Sequence, residues 1–110
     1  MLPKLVIVKY QGQLSGCKFN ERAMASALEN YRTDSGGAYP STLEPIITQR
    51  YINFEPHCPS SNDTYDYTTD EIRSNYTISC KGWHWKVLNN ITQGFPQYNP
   101  TIGLLDRPLP

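Results

Sequence analysis

The sequence predicts an α+β domain: one long N-terminal α-helix packed on a small antiparallel β-sheet, with a short second helix and a C-terminal loop. Two periodicities and the break between them predict it. Over residues 11–33, Leu14, Cys17, Met24, Leu28 and Tyr31, with Ala23 and Ala27 beside them, recur at the three-and-four spacing that gives one helical stripe. From residue 64 the period changes to two, in short runs rich in aromatic and β-branched residues. Between the two lie Gly36-Gly37, Tyr39-Pro40, Pro56 and Pro59, which end one regime before the other begins.

At the start, Leu5-Val6-Ile7-Val8 is an apolar run of four residues, against the roughly 20 that cross a bilayer. Neither a transmembrane segment nor a signal peptide is expected in this stretch. The helix that follows should run about six turns, with Glu21 as the one polar position in its stripe. Either glycine of Asp34-Ser35-Gly36-Gly37 can take the left-handed conformation that caps a helix, and Tyr39-Pro40 prevents it from resuming.

Ser41-Thr42-Leu43-Glu44 has the form of a capping box, which predicts a short second helix over residues 42–50 with Pro45 in its first turn. Residues 51–59 should be irregular. Residues 64–68, 76–80 and 83–87 each alternate, and they predict three successive antiparallel strands with Lys81-Gly82 as the second turn. Alternation places Tyr76, Ile78 and Cys80 on one face, and Trp83, Trp85 and Val87 on one face of the next strand. The tail has four prolines and two glycines and is expected to wrap back across the sheet as a loop. The domain is thus divided into residues 1–33 (long helix), 34–60 (connection with the short helix), 61–92 (β-meander) and 93–110 (wrapping loop).

A chain of 110 residues, 38% hydrophobic, has room for one domain and one modest core. Ten basic residues balance ten acidic ones, so the positive field of a sequence-independent nucleic-acid binder is not expected. The cysteines are Cys17, Cys58 and Cys80, an odd number that permits one internal disulfide and leaves one thiol over. Cys58, in a Pro-bracketed loop, and Cys80, at a strand end, are the expected pair. Closing that loop would stabilise the fold by about 3 kcal/mol in the chain-entropy model and would place the domain in an oxidising compartment. Three buried thiols are the alternative.

The order of these elements carries a family resemblance. The stretch "CKFNERAMASALENYRTDSGGAYPSTLEPI" resembles the helix-to-loop region of bacterial type IV pilins and type II secretion pseudopilins, in particular the G-type major pseudopilin. "CPSSNDTYDYTTDEIRSNYTISCKGWHWK" and "GFPQYNPTIGL" resemble a pilin-like subfamily with a Cys-Pro loop, a Tyr-Thr-Ile-x-Cys strand and a closing Pro-Gln-Tyr. The likeness runs from about Leu2 to Leu104. It implies a pilin-like fold and a membrane-anchored subunit, processed by a prepilin peptidase, whose N-terminal helix packs against its neighbours in a helical filament. The partners implied are copies of the same chain and other pilin-like subunits, together with the inner membrane. The place implied is the bacterial cell envelope, with a periplasmic or extracellular head. Of the family's apolar helix, "LPKLVIVKYQGQ" resembles the membrane-exit end, with Pro3 in the helix-proline position, and the processing motif is not in the sequence. G-type pseudopilins bind calcium in a C-terminal loop, where this chain offers Asp106 as its carboxylate. Hard cations need several oxygen ligands, so calcium is not expected and no other cofactor is predicted.

Residue chemistry adds few further candidates. His57, Cys58, Cys80 and His84 could supply a two-sulfur, two-nitrogen zinc set, but their spacing repeats no zinc motif, and a disulfide beside two incidental histidines is the more economical expectation. No metal site and no catalytic residue are predicted: the carboxylates Asp63, Asp66, Asp70 and Glu71 fall in turns and on a polar strand face, and Gly36-Gly37 lacks the lysine of a phosphate loop. Three Asn-x-Thr triplets, at Asn62, Asn75 and Asn90, are short enough to occur by chance. Trp83 and Trp85 either pack inside, which is expected of at least one ring, or form an exposed interaction face. The functional expectation is therefore a structural filament subunit, not an enzyme, with a minor pilin acting as an adhesive or ligand-binding module through the tryptophan face as the alternative.

Overall fold

In the computed structural model, which describes residues 4–82, 84–88 and 90–108, helix α1 spans Lys4–Asp34. Pro3 and Trp83, both singled out from the sequence, lie outside the described residues. At 31 residues α1 is about 46 Å long. That is close to the 51 Å longest extent of the molecule, so the helix is its spine. The stripe is placed as its spacing predicts: Leu14, Cys17, Met24, Leu28 and the polar Glu21 are buried, and Tyr31 is half-buried. Among the described residues, no helix is long and apolar enough to cross a membrane.

The helix ends as its glycines predict. Ser35 N–H donates to Tyr31 O at 2.9 Å and Gly37 N–H to Arg32 O at 2.9 Å, with Gly36 and Gly37 at φ +81° and +101°. The next element departs from expectation. Helix α2 is Glu44–Thr48, five residues, and Leu43 at its N-cap has helical dihedrals and no side-chain cap bond. The expected short helix is therefore present but shorter than residues 42–50, and the Ser41–Glu44 capping box is not formed. Pro45 explains this. A helix capped by Ser41 would put Pro45 at the fourth position, whose N–H makes the first intrahelical bond, whereas the observed start puts it at the first or second position, where no N–H is needed.

Four strands form one antiparallel sheet in the order β1-β2-β3-β4: β1 Asp66–Thr69, β2 Tyr76–Ser79, β3 Gln97–Asn99 and β4 Gly103–Leu105. The first two are the strands expected from alternation, paired with Tyr67 opposite Ile78 and Thr69 opposite Tyr76. The third expected strand, residues 83–87, is corrected. His84–Val87 is a single helical turn, α3, closed by Leu88 N–H donating to His84 O at 2.9 Å. A two-residue hairpin at Lys81-Gly82 would need φ > 0 at Lys81, which lysine disfavours. The tail supplies the remaining strands in place of the expected wrapping loop. Ile78 pairs with Tyr98, and Asn99 Oδ1 accepts from Thr101 N–H at 3.0 Å and Ile102 N–H at 2.8 Å to turn the chain back into β4.

The sheet explains the tyrosines. Tyr67, Tyr76 and Tyr98 stack across β1, β2 and β3 with centroids 5.9 and 6.4 Å apart, and Tyr39 meets Tyr76 edge-on at 4.7 Å. The core has two parts. The larger holds Cys17, Met24, Leu28, Tyr39, Ile46 and Ile78, and the smaller packs Leu14 against Leu88, Ile91 and Phe95. The 2.9 Å ion pair between Lys18 and Asp106 ties α1 to the chain after β4.

Candidate functional site

The chemistry of this domain converges where α1, the Cys-Pro loop, the end of β2 and α3 meet. The helical stripe aims Cys17 inward. Cys58 is fixed by a tight loop in which its N–H donates to Asp63 O at 2.8 Å and its carbonyl accepts from Asn62 N–H at 2.7 Å, with Asn62 at φ +61°. Cys80 continues the inward parity of Tyr76 and Ile78. His84 opens α3 and is turned inside. Each of the four is at most 1% exposed.

Close approach depends on two glycines. A Cβ at Gly16 would stand 3.1 Å from Pro59 Cγ, so glycine lets α1 approach the loop closely. A Cβ at Gly82 would stand 2.5 Å from Cys58 Sγ, where the backbone itself walls the sulfurs.

Cys17 Sγ is 3.3 Å from Cys80 Sγ, Cys58 Sγ is 3.4 Å from Cys80 Sγ, and His84 Nε2 is 3.3 Å from Cys58 Sγ. All four donor atoms lie within 4.8 Å of one another. The three cysteines are free, and the Cys58–Cys80 separation is far above the roughly 2.05 Å of a covalent S–S bond. The predicted disulfide is thus corrected: Cys80 is as near to Cys17 as to Cys58, and three thiols share one pocket. The four-donor set weighed from the sequence is corrected as well. His57 is not in it; its Nδ1 lies 3.1 Å from Asn62 O and its Nε2 3.9 Å from Glu55. Cys17, assigned from the sequence only to the core stripe, takes its place.

Each sulfur also faces a polar group that is not a thiol. Tyr65 O–H donates to Cys17 Sγ at 3.3 Å, Ser60 Oγ lies 3.0 Å from Cys58 Sγ, and Gly82 N–H donates to Cys80 Sγ at 3.2 Å. Hydrogen bonds from Cys17 and Cys80 hold the Cys58 thiol well below the usual range, and Cys17, as donor, is held far above it. Burial pushes Glu21 up to about 9, so it is a neutral acid at pH 7. Its Oε2 is 3.7 Å from Cys17 Sγ, and its Oε1 has no hydrogen-bond partner among the described residues.

The other predicted residues lie elsewhere. Trp85 is 37% exposed with Lys86 Nζ 5.5 Å from its ring centroid, while His84 beside it is buried. Asp106, the candidate calcium carboxylate, is engaged by Lys18. No protein-family model matches the chain, and comparisons with curated proteins and with solved structures find no match.

Proposed function

We propose that this chain is the head of a type IV pilin or type II secretion pseudopilin, a structural subunit of a helical filament in the bacterial cell envelope. The observation that carries the proposal is the outer face of α1. Val8 and Phe19 lie about three helical turns apart on one line of the helix, opposite the stripe that packs on the domain. They are 56% and 63% exposed. Both are large apolar side chains on an otherwise polar face of the helix, placed where the helix of a neighbouring subunit would cover them. The head would work by repeated contacts with copies of itself and with other pilin-like subunits. Such heterologous contacts build an open filament when the rotation between neighbours does not close. An apolar segment ahead of residue 1 would anchor the subunit in the inner membrane before assembly.

A photo-crosslinking residue at Phe19, in the protein produced by its own cell, tests this directly. Illumination should give a ladder of multimers of this chain in the envelope fraction. Recovery of the monomer alone, or of adducts to soluble proteins alone, would refute the proposal.

A further inference from the structure

We infer that Cys17, Cys58, Cys80 and His84 form a structural zinc site of the three-cysteine, one-histidine kind, a site independent of the filament proposal. Three thiolates and one imidazole are a donor set that zinc takes in closed tetrahedral sites, and hard cations such as calcium or magnesium are excluded by the lack of oxygen ligands in it. The spacing suits the ion. With Zn–S bonds of about 2.3 Å, the sulfurs of a tetrahedral site stand roughly 3.8 Å apart. The observed 3.3 and 3.4 Å contacts need an outward shift of only a few tenths of an ångström.

The surroundings of the sulfurs support the site independently of the distances. Tyr65, Ser60 and the Gly82 N–H each address a different sulfur. A zinc ion with three thiolates carries a net charge of −1 in a buried site, and one hydrogen bond to each sulfur is what such charge requires. A disulfide would leave a third thiol, a buried imidazole and three hydrogen-bond donors without a common purpose. Burial of all four ligands also leaves no open coordination position for substrate, so the role is structural rather than catalytic.

The four ligands come from α1, the Cys-Pro loop, the end of β2 and α3, so the ion would cross-link four segments that are far apart in sequence and meet in the core. Binding releases the thiol protons to solvent and couples the ion to folding, so affinity falls as pH falls.

The test is metal analysis and cobalt substitution of the full chain, purified under reducing conditions. The expected result is one equivalent of zinc per chain, with Co²⁺ giving the intense sulfur-to-metal charge-transfer band and the strong visible bands of a tetrahedral thiolate site. Cys17→Ser should weaken zinc binding by more than about 100-fold, and Tyr65→Phe, which keeps every ligand and removes the hydroxyl that donates to Cys17 Sγ and accepts from Asn20 Nδ2, by about 10-fold. His57→Ala should leave it unchanged. Because Cys17→Ser can also unfold the domain, the wild-type cobalt spectrum and His84→Cys, which should keep one equivalent of metal and shift the spectrum to that of four sulfurs, decide independently of it. Substoichiometric zinc with only the weak spectrum of octahedral Co²⁺, a Cys58–Cys80 disulfide in the intact mass, or equal loss of metal in His57→Ala would each overturn the site.

Discussion

Glu21→Gln is expected to stabilise the domain at pH 8 by about 2–4 kcal/mol and to leave it nearly unchanged at pH 4. Glu21 lies inside the core stripe of α1, fully buried. Burial raises its pKa from the ordinary 4.5 to about 9. The native state therefore holds a proton that the unfolded chain gives up above pH 4.5. A carboxyl raised on folding contributes stability that is complete below its unfolded pKa and is lost as pH rises toward its folded pKa, at most about 1.4 kcal/mol per pH unit. Glutamine has the same shape and no proton to lose, so the variant escapes that loss. Urea unfolding of wild type and variant side by side from pH 5 to 8.5, at one zinc concentration, cancels contributions that both share, including those of the thiols. The difference in stability should grow with pH; a difference that is flat, or that favours the wild type at pH 8, would show that Glu21 is ionised in the folded state.

The long helix and its glycine end were legible because their signals are local and repeated. A three-and-four spacing sustained from Leu14 to Tyr31 has many chances to be right, and Gly36-Gly37 takes the positive φ that glycine accommodates readily. Strands β1 and β2 were legible for the same reason, each being four alternating residues with a turn between. What failed was shorter. Trp83 to Val87 alternates for five residues only, too few to separate a strand from one helical turn, and β3 and β4 are three residues each. Pairing with β2 at Ile78–Tyr98, a tertiary contact, defines β3. The sulfur cluster was half legible. Cys58, Cys80 and His84 share the sulfur-and-imidazole chemistry that suggests one donor set, but Cys17 reads as one more apolar member of the stripe until the sheet brings Cys80 to within 3.3 Å of it. The one local hint was Glu21, a carboxyl one turn from Cys17 on a face that should contain none.

Gly82→Ala tests the same cluster from its backbone side and meets the closest contacts of any glycine-to-alanine change among the described residues. The added Cβ would stand 2.5 Å from Cys58 Sγ, 2.6 Å from Ser60 Oγ and 3.1 Å from Cys80 Sγ. The serine hydroxyl can rotate away. The two sulfurs cannot do so readily, because each ends a short, buried side chain whose backbone is tied, Cys58 through Asn62 and Asp63 and Cys80 through Pro96. Relief requires moving the segment that leads into α3, and with it His84. Overpacking of this kind costs about 3 kcal/mol, and here the displaced atoms are also the proposed zinc ligands. Gly12→Ala is the control. It sits in α1 with nothing within 4 Å of an added Cβ, so it should gain about 0.5–1 kcal/mol from helix propensity alone. The expected pattern is a lower unfolding midpoint, weaker zinc binding and faster reaction of the cysteines with a thiol reagent in Gly82→Ala, against a raised midpoint and unchanged thiol reactivity in Gly12→Ala. Equal behaviour of the two variants would mean that the Lys81-Gly82 turn does not wall the sulfurs and that the cluster is looser than its distances imply.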